Sequence, residues 1–136
     1  MKAWGWVLFA GTLAFSSLAS AQVTSTSIAL AWTAPGDDSL TGTATSYELR
    51  YSTTAITSLA TYLTGTLVIV PAPHIAGTAE TITVAGLSPS TAYWFALRTR
   101  DEVGNVSELS NIATATTLAP PDTLPPAAIT TLRVRP

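Results

Sequence analysis

The sequence predicts an all-β protein. Three observations carry that prediction. Thr, Val, Ile and aromatic residues are abundant while Glu, Lys and Gln are scarce, a balance that suits pleated strands. Several stretches alternate with period two: Ile28, Leu30 and Trp32 against Ala29 and Ala31; Tyr47, Leu49 and Tyr51 against Ser46, Glu48 and Arg50; Tyr93, Phe95 and Leu97 against Trp94, Ala96 and Arg98. Pro and Gly punctuate the gaps at Pro35-Gly36, at Pro71 and Pro73, at Gly86 with Ser88-Pro89-Ser90, and at Gly104-Asn105. Past residue 21 there is no helical periodicity.

Residues 1–21 read as a secretory signal peptide rather than as part of the fold. Lys2 supplies the basic start, Trp4 to Phe15 the apolar segment and Ala19-Ser20-Ala21 the small-residue cleavage site. That apolar run is shorter than the about 20 residues a membrane span needs. With no Cys after the site, lipid anchoring is excluded as well. The mature chain then begins at Gln22, and no membrane insertion is expected after cleavage. Residues 53–64, rich in Thr, Ser and Ala, are expected to be a loop holding one irregular turn. Residues 119–126 form a Pro-rich linker. Residues 127–136 carry one more strand-like run with Ile129, Leu132 and Val134.

Charge and residue inventory exclude several functions. Once Lys2 is removed, five Arg face eight Asp and Glu, which argues against nucleic acid and anionic membranes, since both call for a basic patch. The absence of Cys excludes disulfides, cysteine-ligated zinc and thiol catalysis. His74 stands in a Pro-rich loop with no orienting partner nearby in sequence, and there is no Gly-x-Ser-x-Gly elbow. The expectation is a non-catalytic protein with no cofactor.

One constellation is specific. Leu30-x-Trp32, Tyr47-x-x-x-Tyr51, Gly86-Leu87-x-Pro89-x-Thr91-x-Tyr93 and Asp101-x-x-Gly104-Asn105-x-Ser107 together resemble a fibronectin type III domain of the kind carried by secreted and surface proteins of bacteria. The resemblance spans about residues 25–118. It implies an immunoglobulin-like sandwich of two antiparallel sheets with about seven strands over 22–118, strands falling at 27–34, 45–52, 66–70, 79–85, 91–100 and 110–117, with Trp32, Tyr47, Tyr51, Leu87 and Tyr93 at the family's core positions. It also implies a tyrosine corner, in which the Tyr93 hydroxyl bonds backbone near Leu87 to Ser90. The family's first strand has no counterpart in Gln22–Thr26, whereas Pro125 to Val134 resembles that strand at the wrong end of the chain.

Three sets of residues are candidates for function. In the resembled fold Asp37 and Asp38 meet Asp101 and Glu102 at one pole, an oxygen-rich set that would suit Ca²⁺; ordinary solvated turn residues are the stronger reading. Trp94, Arg98, Arg50 and Glu48 share an outer sheet face that could stack on a sugar or a protein partner. Against this stands a plain cross-strand ladder of Glu48 with Arg98. Ile129, Leu132 and Val134 are a candidate donor strand. The functional expectation is therefore a secreted, non-catalytic module with a structural, adhesive or protein- or carbohydrate-binding role at a bacterial cell surface. The alternative is a filament subunit that passes its C-terminal strand head-to-tail into the next copy.

Overall fold

The computed structural model describes residues 22–136; the expected signal peptide lies outside them. Six strands and one short helix follow in the order β1 (Ser27–Thr33), β2 (Ser46–Ser52), α1 (Leu59–Leu63), β3 (Thr66–Val68), β4 (Ala79–Ala85), β5 (Ala92–Arg100) and β6 (Ala113–Thr116). They build two antiparallel sheets, β1-β4 and β3-β2-β5-β6. Facing the two sheets against each other buries Ile28, Leu49, Val84, Leu87, Tyr93 and Phe95, with Leu30, Tyr51, Ile82 and Leu97 packed around them. Apart from Leu87, which follows β4 in the corner, each residue comes from the inward phase of its strand, as period two requires. Tyr51, Tyr93 and Phe95 meet edge-on or tilted, with ring centroids 5.7–6.3 Å apart.

The tyrosine corner is present. Tyr93 is buried and its hydroxyl oxygen accepts the Ser88 N–H at 2.9 Å. Thr117, also buried, doubles the lock: its hydroxyl donates to Ser88 O at 2.6 Å and accepts from Thr91 N at 3.0 Å. Gly86 supplies the positive φ of +76° that this crossover needs. At the opposite pole Gly36 is required for a different reason, since a Cβ there would lie 2.1 Å from the Thr41 carbonyl oxygen.

Four expectations are corrected. The stretch 53–64 is not simply loop. It contains α1, opened by a reciprocal capping box in which Thr61 N donates to Ser58 Oγ and Ser58 N donates to Thr61 Oγ1. Trp32 is not the largest core residue. Tyr62 and Phe95 hold that place, and Trp32 lies half-buried at the rim, edge-on to Tyr47 at 5.2 Å. The last strand is Ala113–Thr116 rather than 110–117, because serine hydroxyls replace the upstream ladder: Leu97 N donates to Ser110 Oγ and Thr99 N to Ser107 Oγ. Six strands form instead of about seven. In the place of the first, Gln22–Thr26 makes one turn back on β1, with Val23 bridged to Ile28 and Ala29 N donating to Gln22 O.

Candidate functional site

The outer face of the four-stranded sheet does gather Glu48, Arg50, Trp94 and Arg98, but largely for internal use. The Arg50 guanidinium pairs with Glu48 of its own strand at 2.7 Å and donates to the Leu63 and Gly65 carbonyls at the end of α1. It also lies 5.7 Å from the Tyr62 ring centroid, a cation–π contact. The expected ladder of Glu48 with Arg98 does not form, although the two are Cα partners. Arg98 instead donates to the Ser107 carbonyl. Tyr62 is 0% exposed, its hydroxyl donates to Glu48 O at 2.5 Å, and it forms a second core with Ile56 and Ala96. Burial first, then the neighbouring Glu48 charge, pushes its phenol up to about 12. Trp94, Leu109 and Ile112 pack against that second core, so Trp94 is half-buried rather than presented.

The loops at the β1-end pole meet as the sequence suggested. Pro35 to Ser39 on one loop and Arg100, Asp101 and Asn105 to Ser107 on the other line one cleft of about 390 Å³. Asp37 is held above the usual carboxylate range by the facing Glu102 carboxyl first, then by desolvation and by the charges of Glu102, Asp38 and Asp101. Its Oδ1 is enclosed without a donor. Asp101 is engaged in its own turn: Oδ1 accepts from Val103 N and Asn105 N, and Oδ2 from Asn105 Nδ2. Among the described residues no three His, Asp or Glu side chains converge as a metal site.

His74 has the partner that the sequence did not reveal. Glu80, buried at the end of β4, accepts from the His74 backbone N–H at 2.8 Å and sits 3.1 Å from its ring Nδ1. The Tyr47 hydroxyl reaches the same carboxylate at 3.4 Å. The His74 backbone bond, opposed by desolvation and aided by the ring contact, lowers the Glu80 pKa. This cluster pins the loop before β4.

The least finished part of the sandwich is the β1 edge away from β4. Because Ala29 N–H points to Gln22 and Ala34 N–H to Thr78, ladder alternation turns the backbone groups of Ala31 and Thr33 toward that edge, where none has a partner among the described residues. Three clefts open along it, of about 250, 100 and 440 Å³. Neighbouring clefts share Leu30 and Ala31, then Ala31 and Trp32, so they form one groove floored by Phe95 and Leu97 and walled by Ala113. The candidate donor residues do not fill it. After Leu118 N donates to Thr24 O the chain leaves the sandwich, and residues 119–136 are exposed and without regular structure. Ile129, Leu132 and Val134 are 82%, 89% and 94% exposed.

Two antiparallel sheets, a tyrosine corner and a core of alternating strand residues define an immunoglobulin-like sandwich. The model of the fibronectin type III domain matches residues 15–116, and the chain belongs to that family. It is 38% identical over 110 residues to "Endoglucanase B" of Cellulomonas fimi, covering 79% of this chain and 9% of the relative. It is 35% identical over 116 residues to "Chitinase A1" of Niallia circulans, covering 83% of this chain and 13% of the relative. The chain thus spans about a tenth of the length of these curated relatives. Among solved structures, the sensor domain of the anti-sigma factor RsgI4 of Pseudobacteroides cellulosolvens is similar with a TM-score of 0.47 and 19% identity, over 72% of this chain and 86% of that one.

Proposed function

We propose that this chain is an exported, non-catalytic fibronectin type III module that spaces or joins parts of an extracellular bacterial assembly through protein contacts. The observation that carries the reading is where the aromatic rings lie. All seven Trp, Tyr and Phe residues between 22 and 136 are buried or half-buried, and the exposed large apolar residues are all aliphatic. Sugar recognition by stacking needs an aromatic face presented to solvent. Trp94, the candidate for that role, packs on Ile56 and Tyr62 instead. Family membership supports a module, and so do relatives named endoglucanase and chitinase that it matches over only a tenth of their length. Export rests on the leader-like residues 1–21. No helix among the described residues is long and apolar enough to cross a membrane.

Residues 22–136 incubated with insoluble cellulose and chitin should remain in the supernatant and release no soluble sugar. Retention on either polymer would replace the protein-facing role with carbohydrate binding, and sugar release would overturn the non-catalytic reading. Intact mass of the exported protein should equal residues 22–136. A mass retaining residues 1–21 would make it an anchored protein instead.

A further inference from the structure

We propose that the groove along β1 is a docking site for residues 127–134 of a second copy of this chain, which enters as an added strand antiparallel to β1. This goes beyond the spacer role above, which stands whether or not donation occurs.

The groove has the two properties such a site needs. Its edge offers the backbone groups of Ala31 and Thr33, which have no partner among the described residues, as a template for one more strand. Its floor is apolar, from Leu30, Phe95, Leu97 and Ala113, and the half-buried Trp32 lines it. Gln22 and Val23 already start that strand, running antiparallel to β1 at Ile28, and so fix the direction and the end of the vacant stretch. Among the described residues, and once residues 1–21 are removed as proposed above (a cleavage on which this inference rests), the edge from Leu30 to Thr33 is open over about 13 Å at the usual rise, less than eight extended residues supply.

The tail has the matching properties. It is unpaired in the single chain, and Ile129, Leu132 and Val134 are exposed along it. Period two places Leu132 and Val134 on one face. With Val134 opposite Leu30, Leu132 falls opposite Trp32 and Ile129 beside Pro35, while Arg135 turns away where Gln22 takes over. The sandwich is net acidic, and the tail beyond Asp122 carries only Arg133 and Arg135 as charges.

Topology selects a second copy over the chain's own tail. The tail leaves beside Thr24, at the start of β1, while an antiparallel strand must enter beside Thr33 at the other pole. A tail that turned straight back would run parallel to β1 and over the Gln22–Val23 bridge. A neighbour stacked pole to pole meets neither obstacle. Such a contact uses different surfaces on the two copies and does not close, so it propagates as a filament.

Sedimentation of residues 22–136 across a concentration series should show growth from monomer into open-ended oligomers. Leu132→Asp with Val134→Asp should hold the chain monomeric, and since both residues lie in the exposed tail, circular dichroism should be unchanged. A peptide of residues 127–136 added to a chain lacking them should bind saturably and shift Trp32 fluorescence. A chain that stays monomeric at every concentration while the peptide leaves Trp32 unmoved overturns the proposal. Oligomers that survive the double substitution overturn it too. Peptide binding to the shortened chain, with the intact chain monomeric, would assign the groove to the chain's own tail.

Discussion

The two lateral sides of this sandwich are finished by different means. On the side of β2 and β3, residues of the same chain close the surface: α1 lays Tyr62 over the sheet, and Arg50 ties the helix end to β2 through the Leu63 and Gly65 carbonyls. On the side of β1 and β6 the closure among the described residues reaches only Gln22, leaving backbone groups and an apolar groove open. Both sides need a covering element for the same reason, since apolar surface and strand edges are costly to leave in water. Only one side finds it locally.

Substitutions on the two sides should therefore differ in cost. The largest effect should come from Tyr62→Ala, which removes a fully buried ring and its hydrogen bond. We expect a loss of about 3–5 kcal/mol in denaturant unfolding. Trp32→Ala, a larger deletion on the open side, should cost only about 1–2 kcal/mol because the ring is only partly buried at the rim. If the two costs were equal, the open side would be closed in solution. Between them falls Tyr93→Phe, which strips the Ser88 N–H of its acceptor and should cost about 1–3 kcal/mol. An unchanged midpoint would mean that Thr117 alone holds the corner.

The poles give two smaller, pH-dependent effects. Glu80 has a folded-state pKa below its unfolded value, so its contribution is present above the unfolded carboxylate pKa and is lost as pH falls through the folded one. Glu80→Gln should flatten the acid limb of the stability profile, and an unaltered limb would remove Glu80 from the account. Asp37 runs the other way: a raised folded pKa means that its ionised form opposes folding at neutral pH. Asp37→Asn should stabilise slightly at pH 7, with the gain vanishing as pH falls below the folded pKa. Stabilisation that persists undiminished at low pH would point to a cause other than charge.

The sequence made the inner core legible because period two and the Leu87-x-Pro89-x-Thr91-x-Tyr93 corner are local patterns. Ile28, Leu49, Tyr93 and Phe95 fall where that alternation puts them. The closed side was not legible. A five-residue helix is too short to show a helical period, and its capping box uses Thr61 where Glu or Gln is the usual signal. The pairing of His74 with Glu80 was missed because it depends on how the loop before β4 folds back. Trp32 was placed too deep because burial at a strand's end depends on what lies beside the strand, and there the neighbouring element is absent among the described residues. At the candidate binding face the right residues were gathered. Their partners, Tyr62, Leu63 and Gly65, come from the very segment whose helix left no periodic signal.

The central claim is that the β1 edge is open in one chain and filled by another. Amide hydrogen exchange at Ala31 and Thr33, read at low and at high concentration of residues 22–136, tests it most directly. Exchange should be fast in dilute solution and strongly protected in concentrated solution, while the buried Phe95 amide between β2 and β6 stays protected in both. Protection at Ala31 and Thr33 that is the same at both concentrations, whether high or absent, would contradict the account.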